Sequence, residues 1–82
     1  MPISESYRTH IRVFDTELQK IYKALSARSR RSDNARLKQE IYDLLDLGET
    51  LHAFHIGNGQ MESALKLVKV CRYLEALVKD LS

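Results

Sequence analysis

The sequence predicts an all-α protein, folded as an antiparallel up-down-up three-helix bundle. Apolar residues recur at steps of three and four along three segments of the chain, the spacing of one face of a helix. No alternation of apolar and polar residues is long enough to indicate a strand. The two connections are short, so consecutive helices should pack as antiparallel neighbours. The alternative architecture is a long helical hairpin that completes its core by dimerisation.

The first predicted helix covers residues 5–28. Ser4 or Ser6 is placed to cap its start, because a serine hydroxyl accepts a hydrogen bond from a free backbone N–H of the first turn. Its narrow apolar stripe is typical of a helix that packs against another helix, and consists of Tyr7, Ile11, Phe14, Leu18, Ile21 and Leu25.

The second predicted helix covers residues 33–56, and Ser32 or Asp33 can cap it. Gly57 and Gly59 end it, because glycine tolerates the left-handed backbone that often closes a helix. These glycines do not form a phosphate-binding loop of the P-loop type, since they follow a helix and lack the Lys and Ser/Thr of that motif. The face predicted to be buried contains Leu37, Ile41, Leu44, Leu45, Gly48, Leu51 and His55.

The third predicted helix covers residues 60–81 and has the widest apolar face. Its main stripe consists of Met61, Ala64, Leu67, Cys71, Leu74, Val78 and Leu81. Four more apolar residues extend this stripe over more than half of the circumference, and one neighbouring helix cannot cover so wide a face. We therefore predict a partner-binding surface formed by Leu65, Val68, Val70 and Leu77.

Composition favours one small folded domain, residues 1–82, with 44% hydrophobic and 29% charged residues. The sequence has neither a run of about 18 apolar residues, as a membrane span requires, nor a leader of signal-peptide type. The single cysteine, Cys71, cannot form an internal disulfide, which agrees with a reducing compartment. We therefore expect a cytoplasmic protein. Because a core of this size is thin, we also expect a homo-oligomer.

Antiparallel packing predicts which residues of the first two helices face each other. With the first turn centred on residues 31 and 32, Phe14 lies opposite Gly48, so that a large side chain faces a residue without one. The same register brings His10 close to His52, with His55 one turn beyond. All three histidines of the chain are therefore predicted at one end of the bundle.

These three histidines allow several interpretations. We favour half-buried packing residues whose ring nitrogens reach water. Zinc binding and a pH switch are the alternatives. Glu49 and His52 have the Glu-x-x-His spacing of di-iron bundles, but the other helices offer no inward Glu at that level. We therefore predict no metal and no cofactor. Cys71 falls opposite about Leu45, away from the histidines, so we expect a core residue rather than a ligand or a nucleophile.

A basic turn between the first two helices suggests an alternative function, nucleic-acid binding in a regulatory protein. Arginine and serine side chains contact phosphates in such complexes. No aromatic residues interleave with the arginines for base stacking, and a helix dipole alone favours basic residues at a helix end. The residues of this alternative site are Arg28, Arg30, Arg31 and Arg36.

The stretch Gly59–Leu65 resembles the start of the second helix of a tetratricopeptide-type hairpin, in which Gly, a polar residue, a large residue, Glu and then Ala-Leu recur. Leu47 and Gly48 resemble the Leu-Gly pair of that motif, although the distance from this pair to Ala64 is about one helical turn longer than in the motif. The chain has no second repeat. Because such repeats need neighbours to cover their faces, the resemblance implies a partner-binding helical protein, as in small secretion chaperones or adaptors. It implies no individual binding residues.

The function predicted from the sequence is that of a small protein–protein interaction module, adaptor-like, chaperone-like or regulatory. Such a module would bind itself or a helical partner through the third helix. No carboxylate pair, nucleophile with a base, or cofactor loop indicates catalysis, so we do not expect an enzyme.

Overall fold

The computed structural model describes residues 4–27 and 32–81, which form three helices and no strand. The helices are α1 (Glu5–Ala27), α2 (Ser32–Gly57) and α3 (Met61–Asp80), and each boundary lies within one residue of its predicted position. Among these described residues, no helix combines the length and the apolar composition needed to cross a membrane. The predicted all-α three-helix bundle is confirmed, in a molecule measuring 48 × 20 × 17 Å.

α2 is the central helix of the bundle. α1 and α3 each pack along it, whereas no described Cα atom of α1 lies within 8 Å of one in α3. Because Cα atoms lie about 2.3 Å from a helix axis, the axes of α1 and α3 are more than about 10 Å apart, wider than for directly packed helices. The two outer helices meet through long side chains, such as Tyr22 and Tyr73 with ring centroids 6.4 Å apart.

The core runs along the inner face of α2. Its three most deeply buried large side chains, Ile21, Ile41 and Leu74, come one from each helix. Two residues of the predicted stripes are exposed instead: Ile11 on α1, and Met61, which is the first residue of α3. The remaining buried apolar residues are Tyr7, Phe14, Leu18, Leu37, Leu44, Leu51, Ala64, Leu67, Val78 and Leu81.

A serine side chain caps the start of α1. Ser4 caps α1, since its Oγ accepts a hydrogen bond from the backbone N–H of Tyr7 at 3.2 Å. The predicted cap of α2 by Ser32 or Asp33 rests on side chains that lie outside the described part of the structure.

The turn between α2 and α3 is a helix stop. Gly59 has φ +72°, and its N–H donates to the carbonyl of Ile56 at 3.1 Å. The N–H of Gln60 donates to the carbonyl of His55 at 2.8 Å. These two bonds form a Schellman motif, which uses a left-handed residue to satisfy the last carbonyls of a helix. The turn therefore directs α3 back along α2, as the glycines predicted.

Candidate functional site: the α2–α3 groove

Gly48 lies where all three helices come together. A Cβ atom at this position would lie 3.1 Å from Cε2 of Phe14 and 3.1 Å from Sγ of Cys71. The missing side chain therefore lets α1 and α3 approach α2 at the same level. The predicted register, with Phe14 opposite Gly48, is confirmed.

A groove of about 400 Å³ opens on the flank of α2 that faces α3. Gly48 and Cys71, which contact each other closely across the two helices, both line it. Its apolar floor consists of Leu45, Gly48, Leu67, Val68 and Cys71. Its polar rim consists of Asp46, Glu49, His52, Arg72 and Glu75.

Exposed apolar side chains continue this groove towards the α2–α3 turn. Met61, Leu65 and Val68 follow one another at steps of four and three on one face of α3, and Ile56 lies one turn beyond His52 on α2. Leu65 is 64% exposed, Met61 56% and Ile56 42%. We call the set Ile56, Met61, Leu65 and Val68 the apolar end of the groove.

The middle of the groove is acidic. None of its three carboxylates, on Asp46, Glu49 and Glu75, lies within 4 Å of a cationic nitrogen in the described residues. The rim offers one guanidinium, that of Arg72. Three carboxylates elsewhere on the described helices form ion pairs, as Glu17 does with Lys20 at 3.2 Å, whereas others such as Asp15 and Asp80 do not. The groove therefore has unpaired negative charge beside exposed apolar surface.

The four predicted partner-binding residues lie on two different sides of α3. Leu65 and Val68 belong to the apolar end of the groove. Val70 and Leu77 are half-buried and pack against the core. Because each residue advances about 100° around a helix, Val70 and Leu77 lie about 120° to 140° away from Leu65. These four residues do not form one surface.

Sequence reasoning did not assign Ile56, Met61 and Cys71 to a binding surface. The periodicity assigns Met61 and Cys71 to the core stripe of the third helix, and Ile56 follows the last residue of the second stripe. The spacing Met61, Leu65, Val68 was available as a pattern, but periodicity alone does not identify which flank a neighbouring helix covers.

His55 is buried at the end of the bundle that holds the α2–α3 turn. Its Nδ1 atom and the hydroxyl of Tyr7 share a hydrogen bond of 2.5 Å, and both side chains are buried. Burial, and to a smaller degree the nearby imidazole of His52, lower the pKa of His55 from its ordinary value of 6.5. Tyr7 and His55 thus hold the start of α1 against the end of α2.

The other two histidines lie at the same end but in separate environments. The Nδ1–H of His10 donates to the carbonyl of Ser6 at 2.7 Å, and its ring packs against Phe54 with centroids 4.9 Å apart. His52 instead lines the α2–α3 groove. Because His52 and Phe54 are two residues apart, they point to opposite flanks of α2. Within residues 4–27 and 32–81, no three His, Cys, Asp or Glu side chains could hold a metal ion.

The structure corrects the predicted separation of Cys71 from the histidines. Cys71 contacts the position of Gly48, one turn from Leu45, and lines the same groove as His52. Burial, and to a smaller degree the carboxylate of Glu75, raise the pKa of the Cys71 thiol. The thiol is therefore a poor nucleophile at neutral pH.

The basic turn of the nucleic-acid hypothesis falls mostly outside the described residues, which exclude Arg28, Arg30 and Arg31. Its fourth member, Arg36, forms an ion pair of 3.4 Å with Glu40. Nucleic-acid binding by this turn stays a hypothesis.

Comparisons with protein-family models, with curated protein sequences and with solved structures find no match for this chain.

Proposed function

We propose that this protein is a small helical protein–protein interaction module and that its α2–α3 groove binds a helix of another molecule. The observation that carries the proposal is the apolar end of the groove, where three large side chains, those of Ile56, Met61 and Leu65, are exposed beside an unfilled apolar floor. Covering such a surface removes apolar area from water, which is the main driving force of protein association.

The dimensions of the groove suit a helix. From Met61 to Glu75 the exposed stripe of α3 extends about 21 Å at 1.5 Å per residue, which is the length of a helix of about four turns. Amphipathic helices bind such grooves through apolar anchors at steps of three and four residues. The open volume of about 400 Å³ between α2 and α3, lined by Val68 and Cys71, is where an anchor side chain would enter.

We propose a binding role rather than a catalytic one, because burial raises the pKa of the Cys71 thiol in the groove, which makes it a poor nucleophile at neutral pH. An adaptor-like or chaperone-like role fits a module that binds through one groove. The lone cysteine fits a reducing compartment, so we propose the cytoplasm as its location.

Variants at the apolar end test the proposal. We expect proteins retained from an extract of the source organism by the wild type to be lost with Met61→Gln/Leu65→Gln. They should still be retained by Val13→Gln, which removes an equally apolar, 40% exposed side chain from α1. Binding of each retained protein would then be measured with purified components.

Light scattering over a dilution series measures the oligomeric state of the same three proteins. It tests whether a second copy of this chain occupies the groove. If the wild type is monomeric throughout and every retained protein binds all three equally, the proposal is wrong.

A further inference from the structure

We propose that the occupant of the α2–α3 groove is a basic amphipathic helix, with apolar anchors towards one end and lysine or arginine side chains further along the same face. This inference rests on the proposed function and specifies its partner. It follows from the unequal distribution of apolar surface and charge along the groove.

The groove changes character along its length. Its apolar end lies next to the α2–α3 turn, whereas its three carboxylates lie towards the middle of the bundle. On α3, Leu65 and Glu75 are ten residues apart, or about 15 Å. Because Gly48 is level with Cys71, a helix whose apolar anchors cover Leu65 brings residues about five to ten positions further along beside Glu49 and Glu75.

The chemistry of the rim selects positive charge at those positions. Asp46, Glu49 and Glu75 have no ion-pair partner within 4 Å in the described part of the chain. An anionic helix would bring its charges against all three, and like charges across an interface lower affinity. A basic helix forms the ion pairs that this chain itself does not provide.

The net charge of the whole protein, taken alone, would favour an acidic helix over a basic one. The chain has a formal net charge of +2 at pH 7, so long-range attraction favours an acidic ligand. A preference for a basic helix therefore reports the local field of the groove and not the average charge of the protein. This opposition makes the inference easy to test.

Two designed peptides of about 18 residues provide the test. Both present the same leucines on one half of a helical face. The other half of that face has lysines in one peptide and glutamates in the second. We expect the full chain to bind the lysine peptide about tenfold more tightly than the glutamate peptide at low salt, as measured by fluorescence anisotropy. The ratio should fall as salt is added.

Two triple variants of equal net charge distinguish groove charge from overall charge. The first, Asp46→Asn/Glu49→Gln/Glu75→Gln, should remove the preference for the lysine peptide. The second replaces exposed carboxylates away from the groove and should keep it; it is Glu5→Gln/Asp15→Asn/Asp80→Asn.

Each outcome decides a separate point. Equal binding of the two peptides, weakened by Leu65→Gln, overturns the basic preference and leaves helix binding in the groove intact. Tighter binding of the glutamate peptide, or the same loss of preference in both triple variants, also overturns the inference. If neither peptide binds, the inference is wrong, and the retention experiment with Met61→Gln/Leu65→Gln decides the proposed function independently.

Discussion

The two flanks of α2 are built from different side chains and produce different surfaces. On the flank facing α1, Phe54 stacks on Tyr7 with ring centroids 5.8 Å apart and also contacts His10. On the flank facing α3, Gly48 and His52 line an open groove. One flank is closed by aromatic rings, and the other is left unfilled.

This difference shows that helix packing and groove formation depend on side-chain volume at particular levels. α2 presents apolar residues towards both neighbours, yet only the α1 side has large rings at the turn end of the bundle. On the α3 side, the two packed helices leave an open groove of about 400 Å³. The closed flank should therefore determine stability, and the open flank should determine binding.

The largest expected effect comes from the closed flank. Phe14→Ala removes a buried ring that packs over Gly48, and we expect it to lower the free energy of unfolding by about 3 to 4 kcal/mol. Leu65→Ala, at the open flank, should change it by less than about 0.5 kcal/mol because Leu65 is largely exposed. Urea denaturation of both variants measures the difference; equal losses would contradict the division between the flanks.

A smaller effect is expected at the level where the two flanks meet. Gly48→Ala gains helix propensity, but its Cβ must displace Phe14 and Cys71, each 3.1 Å away. Gly57→Ala, also within α2, gains propensity without meeting any atom within 4 Å. We expect Gly57→Ala to be more stable than Gly48→Ala by about 1 to 2 kcal/mol in urea denaturation. If both substitutions stabilise the protein equally, Phe14 and Cys71 move away from the new Cβ atom without a measurable cost in free energy.

The smallest expected effect is a pH dependence of the closed flank. Because the pKa of His55 is lowered by folding, the unfolded chain binds a proton there more readily. The contribution of His55 to stability is complete above about pH 6.5 and is lost as the pH falls through the lower pKa of the folded state. Denaturation at a series of pH values should show this loss in the wild type.

His55→Gln should remove that part of the pH dependence, while His10→Gln should retain it. If His55→Gln shows the same dependence of stability on pH as the wild type, the loss of stability at low pH comes from other groups.

Much of the fold was accessible from the sequence. The three- and four-residue periodicity located all three helices, and a first turn centred on residues 31 and 32 correctly placed Phe14 opposite Gly48. The extent of a helix and the register between two helices both depend on how far along the helix axis a residue lies, and this distance follows directly from the spacing of residues in the sequence.

The candidate site could be predicted less well from the sequence, because the residues that line it are determined by their angular position around the helix axis. All three histidines lie at the predicted end of the bundle, but His10 and His52 lie on opposite flanks of α2 and so do not line one site. Val70 lies only two residues from Val68, yet it packs against the core on the other side of α3. Which flank is covered depends on where neighbouring helices lie, and spacing in one helix does not contain that information.

The wide separation of α1 and α3 has a consequence for how the chain folds. Since each outer helix packs mainly on α2, the molecule consists of two overlapping helical hairpins that share their middle helix. Contacts between sequence neighbours cost little loop-closure entropy, so either hairpin is able to form first. α2 then acts as a template on which the second outer helix assembles, and loss of one outer helix leaves the other hairpin with its partner in place.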